Sequence, residues 1–520
     1  MNDFLNWHHP KSLNEENQMS DATQSDTSLA KGKLGVLGIV FFVVAAAAPL
    51  VGMTGAVPVA MLAGNLAGTP GAYLAVGLTL LVFSVGFSTM SNKVTNAGAF
   101  FAYVGKAFGK HAGVASAFIS IVGYVTIQLA IYGFFGGLAA GQFAADLGIN
   151  LPWYVWTLIA WALVTGLSLL SVDVGAKVLG TLMVLELTSL VITAVAILSN
   201  GGPEGLNFGA SFAPSAIFTG GFGGGAGIAL AFAFASFIGF EATAIYGEES
   251  INPKRTIPRA TYWAIGIITA LFAMVSFAMV TGMGSSKVAD YVVANSGGPD
   301  AVLSNPAGVL FALAGHYVGG WMPQVMSWLV ISSLFAGLLA FQNATSRYFF
   351  AMGRGGVLPK SFGKVNHRGA PQAGVILTSA LAALVVIIFA VANLDPILNL
   401  FFWMSAITAI AIILVEILVS LAVVKYFMSN AGANVWQGKI APIVAAVGLA
   451  VGEYLLMSRF NLLAGTAPAG VDPSAPDAAW KLSGLGWFLV LLPFAAAVIG
   501  YIVSSMQKNE NDTLVDDILS

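Results

Sequence analysis

Four glutamates stand inside long apolar runs: Glu186 in GTLMVLELTSL, Glu241 in FASFIGFEAT, Glu416 and Glu453. A carboxylate so placed needs a partner or a proton. Burial disfavours its ionised form, which suits reversible protonation. One of the four lies near residues that interrupt a helix. Glu241 follows Ser236-Phe237-Ile238-Gly239, and an earlier run reads Pro49-Leu-Val-Gly52-Met-Thr54-Gly55. Proline inside a helix removes a hydrogen bond and strains the preceding turn, at about 3 kcal/mol. Freed N–H and C=O groups beside a protonatable carboxylate suit the holding of a small polar solute. Other chemistry finds little support. The 520-residue chain has no cysteine, which excludes disulfides and thiolate sites. Its histidines (8, 9, 111, 316 and 367) show no metal-ligand spacing. No G-x-x-x-x-G-K-[ST] loop occurs, so ATP-driven pumping is not expected. The glycine run at 220–225 lacks the lysine and reads as a flexible connector. Neither an enzyme's nucleophile or carboxylate-pair constellation nor a cofactor motif is visible.

The elements that position these residues must lie in a membrane. Hydrophobic residues make up 58% of the chain and charged residues 8%, against about 25% charged in soluble domains. Apolar runs of about 20 residues each, the length that crosses a bilayer, fall near 34–60, 71–90, 112–142, 152–170, 175–199, 224–247, 261–283, 322–349, 372–392, 395–426, 440–458 and 484–505. A shorter run, 306–318, reads as a surface helix. The architecture expected is an all-α integral membrane protein of about twelve spans. Only Lys287, Arg459 and Lys481 fall on one side of this bundle; every other Lys and Arg falls on the opposite side. The positive-inside rule then puts both termini in the cytoplasm of a cell-membrane protein. Residues 1–33 and 507–520 are polar and read as disordered tails; the former is no signal peptide. Net charge is −2, which points to no nucleic-acid partner.

Spans one and six carry the interruptions, and they open two successive sets of five. Breaks at matching places in two halves mark a transporter site built on inverted repeats. The expected organisation is residues 34–200 as the first repeat, 201–426 as the second, and 427–506 as two peripheral spans. Gly133-x-x-x-Gly137-x-x-x-Gly141 reads as a helix-packing stripe.

The stretch FASFIGFEATAIYGEESINPKRTIPRAT (234–261) resembles the sixth helix and following loop of the amino acid–polyamine–organocation superfamily, with its S-F-x-G-x-E and N-P-x-R-x-I-P-x-A pattern. NAGAFFAYVGKAFG (96–109) and RYFFAMGRGGVLP (347–359), followed by Ala370-Pro371, are similar to two further stretches of it. PLVGMTGAVP departs from the commoner G-S/T-G signature of the first break. The resemblance covers about residues 34–505. It implies a LeuT-like core of 5+5 spans with discontinuous helices one and six, a solute held between the breaks, and alternating access by rocking a bundle against a scaffold. It further implies Gly52, Thr54 and Gly55 as donors to a substrate carboxylate. Ser236, Ile238 and Gly239 would meet the amine, and Glu241 would couple occupancy to gating. Some proton-coupled relatives place a lysine about where Glu186 stands, making Glu186 the candidate proton carrier. Ser332 and Ser333 are where a sodium site would find hydroxyls. Tyr124, Gln128, Tyr132, Phe402 and Trp403 are candidate pocket walls, whereas Glu453 reads as structural and Glu416 is assigned no role.

The expectation is a secondary transporter of an amino acid or related amine, proton-coupled rather than sodium-coupled. A polyamine carrier and an amino acid/amine exchanger remain open, as does a receptor or channel from a different class. No cofactor or bound metal is expected.

Overall fold

The computed structural model describes residues 32, 34–94, 98–170, 172–298 and 305–506, with no side chain described over 172–179. Both expected tails, Lys31, Lys33, Asn96 and the side chain of Lys177 lie outside the described residues. Among those described, the chain is helical, with a single isolated bridge between Leu34 and Ser250 in place of any strand. Among the described residues, eleven helices are long and apolar enough to cross a membrane, and Trp153–Ser168 and Ala307–Tyr317 are shorter apolar helices, of which the former fills the remaining expected span. Each expected span has its helix.

Span one is Val36–Ala47 followed by Pro49–Thr54. Spans two to five are Thr69–Ser91, Lys110–Leu147, Trp153–Ser168 and Val172–Asn200. Span six is Gly225–Ser236, continued by the 3-10 turn Phe240–Ala244. Spans seven to nine are Pro253–Met283, Trp321–Arg354 and Gln372–Val391. Span ten, Phe402–Ser429, is entered through the π-helical turn Pro396–Phe401. Spans eleven and twelve are Ala441–Ser458 and Gly484–Met506. The run at 306–318 forms the short helix Ala307–Tyr317, packed on spans five, seven and eight.

Packing partners recur five spans apart. Span three packs on four as eight packs on nine, span three on ten as eight on five, and span one on seven as six on two. Spans two and seven pack on each other, as do four and nine. A contact network that maps onto itself under a shift of five is what two structurally equivalent repeats produce. Spans eleven and twelve stand outside this scheme, packing chiefly on spans two, ten and six and on spans three and ten respectively.

Small residues set the closest approaches, as expected where no hydrophobic force draws helices together. A Cβ on Gly133 would lie 2.4 Å from the Pro396 carbonyl oxygen, and one on Gly137 would lie 2.9 Å from Ile397. Gly141 has no neighbour within 4 Å of such an atom, so the expected stripe packs through two glycines rather than three. The run at 220–225 is also more than a connector. Its Gly225 leaves a Cβ only 2.5 Å from the Gly64 carbonyl oxygen, and Arg459 donates to the Gly223 carbonyl. Gly133→Val should therefore lower thermal stability in detergent by about 2 kcal/mol or more, through overpacking against backbone. Gly141→Ala should stay within about 0.5 kcal/mol of the parent, and equal losses from the two would show that this packing is misassigned.

Candidate functional site

The first break falls one residue earlier than the proline suggests. Ala48 adopts a left-handed conformation (φ 42°, ψ 66°) between Val36–Ala47 and Pro49–Thr54. Pro49 heads the second half-helix, where its missing N–H removes no hydrogen bond. The second break lies where expected. Span six stops at Ser236, and Gly239 turns the chain at φ 116° into the 3-10 turn that carries Glu241. A Cβ at Gly239 would lie 3.0 Å from that of Ala46, so the two breaks touch, and only glycine meets both the φ and the space.

Each break is capped by a buried carboxylate. Glu186 of span five accepts the Leu50 N–H at 2.6 Å. Glu241 accepts the Gly239 N–H at 2.8 Å through Oε2. Both glutamates are 2% exposed or less. Exposed N–H groups at the start of a helical segment favour an anion.

Between the breaks lies a cavity of about 120 Å³. The closing residues of both first half-helices line it: Ala46 and Ala47 from span one, Ala235 and Ser236 from span six. The last carbonyls of a helix lack intrahelical partners and carry partial negative charge. The remaining wall is almost wholly apolar. Ile127 and Ile131 come from span three, Leu334 from span eight, Phe232 from span six and Phe401 from the entry to span ten. Ser236 and Ser405 supply the side-chain hydroxyls. That of Ser236 is bonded to Tyr73 at 3.0 Å and to the Phe232 carbonyl at 2.7 Å, whereas that of Ser405 has no partner among the described residues.

Of the candidates read from the sequence, Gly52, Ser236, Ile238 and Phe402 line this cavity. The others lie elsewhere. The Thr54 hydroxyl donates to the Leu50 carbonyl at 2.7 Å and the Gly55 N–H to the Val51 carbonyl at 2.7 Å, so both donors are spent within the half-helix. Gly239 shapes the turn rather than the wall. Gln128 donates to Gln342, which donates in turn to Ser379 at 3.0 Å and to the Val375 carbonyl at 3.1 Å. This is a polar network joining spans three, eight and nine. Trp403 packs edge-on against Phe389 of span nine. Tyr124 and Tyr132 are buried and do not line the cavity. Ser333 is buried near Glu186, and Ser332 donates to its own helix. The wall residues missed by sequence reading are mostly apolar, aliphatic and aromatic, with Ser405 the polar one among them.

Beyond the cavity, the end of the bundle that carries most of the basic residues is sealed. Phe42 of span one stacks on Tyr246 at 4.8 Å, and the Arg347 guanidinium lies over the Tyr246 ring at 5.2 Å. Arg347 pairs with Glu249 through both carboxylate oxygens, and the two are 3% and 1% exposed. Arg354 pairs with Glu248 nearby. The start of span one is tied in as well: Leu34 donates to the Glu249 carbonyl at 3.0 Å and accepts from Ile251 at 3.0 Å.

Comparison with known proteins places this arrangement. The family profile described as amino acid permease matches residues 38–505, and the chain belongs to that family. A branched-chain amino acid permease, BcaP of Lactococcus lactis, is 27% identical over 330 residues, which is 60% of this chain and 66% of that one. The lysine-specific permease of Saccharomyces cerevisiae is 25% identical over 54% of this chain and 46% of its own length. The yeast histidine permease is 26% identical over 52% and 45%. The matched stretches thus span between about half and two thirds of these curated relatives. In fold, a manganese transporter from Eremococcus coleocola superposes with a TM-score of 0.54 at 14% identity, covering 93% of this chain and 99% of that one. The chain is a multi-pass membrane protein of permease architecture.

Removing one member of a buried ion pair typically costs about 3–5 kcal/mol, because the other is left charged and alone. Arg347→Ala should therefore lower the melting temperature sharply. The double substitution Arg347→Met with Glu249→Leu should recover most of the loss. A double variant no more stable than the single would mean that the pair is not what holds this end together.

Proposed function

We propose that this permease is a secondary transporter of neutral amino acids with apolar side chains, working by alternating access in the cell membrane with both termini cytoplasmic. One observation carries the reading: the cavity joins helix ends at two breaks to an otherwise apolar wall. Helix carbonyl ends suit an ammonium, and the start of the half-helix Pro49–Thr54 and the Ser405 hydroxyl, which has no partner among the described residues, suit a carboxylate. The Ile, Leu and Phe wall suits an aliphatic side chain. Among the described residues no acidic side chain lines the cavity, and a polyamine would bring at least two cations with nothing there to pair them. The relative BcaP, named for branched-chain amino acids, agrees with this choice. A channel would need a continuous polar path, whereas here the polar groups cluster at one depth under a sealed end.

Proton coupling through Glu186 is the mechanism that this geometry favours. The carboxylate caps the half-helix whose residues line the cavity. A change in its protonation alters the charge at that helix end and hence the cost of opening the break. In proteoliposomes, leucine, isoleucine or valine should accumulate under an imposed pH gradient, while lysine and putrescine should not. One proton moving across 100 mV supplies about 2.3 kcal/mol, near 50-fold accumulation. Glu186→Gln keeps an acceptor for the Leu50 N–H and removes the titrating proton, so gradient-driven accumulation should fall much further than exchange. Equal loss of both would make Glu186 structural, and uptake that follows sodium instead would discard the proton.

A further inference from the structure

The mechanism above leaves three buried groups without a task. Glu416 of span ten is 1% exposed, and its Oε2 has no hydrogen-bond partner among the described residues. Glu453 of span eleven is 7% exposed, and neither of its oxygens is bonded. The Tyr124 hydroxyl of span three, fully buried, approaches Glu241 but completes no hydrogen bond of ordinary geometry. These groups belong to one neighbourhood. Glu416 interacts electrostatically with Glu241 on one side and Glu453 on the other, and Tyr124 interacts with both Glu241 and Glu416. The helices bring them together, since span ten packs on spans three, six and eleven. At Gly452, next to Glu453, span eleven approaches span six so closely that a Cβ would lie 2.6 Å from the Phe234 ring.

Among the described residues, no cation answers these carboxyls. Span three turns Tyr124 and Ser120 toward the region, with Ser120 bonded to Tyr348 of span eight at 3.1 Å. Helix Phe100–Phe108 brings buried Tyr103. Span two brings buried Tyr73, already bonded to Ser236, and at its far end Lys93, close to Gly432 in the loop after span ten. Span twelve brings Tyr501, its ring tilted against that of His111 at its exposed end. On span ten itself, Lys425 lies over the Phe108 ring. The turn before span eleven brings Lys439, exposed. Past Glu453, Arg459 is spent on carbonyls of Gly223, Pro473, Ala475 and Pro476. Arg347 is spent on Glu249. Ionised carboxylates that interact in one buried neighbourhood, with no counter-charge among the described residues, would repel one another and each bear the cost of desolvation.

We propose that Glu416 and Glu453, together with Glu241 and Tyr124, form a proton-binding site distinct from Glu186. Protons bind there as carboxyl O–H bonds, and their number changes as span six moves in the transport cycle. Glu241 is the member nearest the solute: it stands three residues past Ile238, which lines the cavity, and caps the break itself. Opening the break moves Glu241 relative to Glu416. That changes how many protons the group holds, because coupled acids titrate as a set.

Infrared difference spectroscopy on the full-length protein in lipid vesicles reads this directly and does not depend on which solute is carried. The expected result is a protonated-carboxyl C=O band whose amplitude changes with pH, diminished in both Glu416→Gln and Glu453→Gln. Melting curves establish that the variants are folded. The same variants should lower pH-gradient-driven leucine accumulation, by up to about 50-fold for each proton uncoupled at 100 mV. A band that does not respond to pH, or that survives in both variants, overturns the proposal. So does stabilisation by sodium or potassium at fixed pH that is lost in the variants, since it would make the group a metal-cation site. If leucine is not transported at all, the amino-acid reading falls while the infrared result still decides this one.

Discussion

Everything in this structure turns on a rule of the bilayer: a main-chain N–H or C=O in hydrocarbon must find a partner inside the protein. A helix can be opened at mid-membrane only where its freed groups are answered. Here each opening is answered by a carboxylate. Glu186 reaches across from span five to Leu50, and Glu241 folds back on Gly239. Because the answer is a carboxylate rather than a fixed amide, the cap itself can change charge. In the proposed mechanism the solute cavity, the proton chemistry and the motion share the same few atoms.

The surrounding architecture serves to hold these two openings against each other. Gly239 and Ala46 touch, and the Phe42–Tyr246 stack ties span one to the end of span six. Arg347 locks span eight onto the same corner through Glu249. Spans three, eight and nine form a firmer counterpart, joined by the Gln128–Gln342–Ser379 network and by Trp161 of span four donating to the Ser379 carbonyl at 2.8 Å. A polar network bonded across three helices resists sliding. A corner held by one buried ion pair and a stacked pair of rings has a discrete way to let go. This contrast is the basis for assigning rocking to spans one and six against a scaffold.

The sequence reveals the fold almost completely because hydrocarbon imposes length and composition on every span. It reveals the breaks to within a residue or so, since Pro49 and Gly239 have few other uses in an apolar helix. The walls of the cavity are harder to read. Helices apolar all round do not announce which side faces inward, so Ile127 and Ile131 carry no more signal than their neighbours. Polar side chains mislead in the other direction. Gln128 is polar because its partner is Gln342, 214 residues away, and Thr54 because its hydroxyl serves its own turn. Glu186 was legible only through family resemblance, as its partner is a backbone N–H on another span.

The most direct test asks whether a solute fills the space between the breaks. The chain has no native cysteine, so Ala235→Cys introduces a single thiol at the cavity wall, and Ser286→Cys places a control in an exposed loop. The rate of labelling by a small water-soluble thiol reagent is measured with and without leucine. The account predicts that saturating leucine slows labelling at position 235 and leaves position 286 unchanged. Equal rates at position 235 with and without a solute that is demonstrably transported would contradict it.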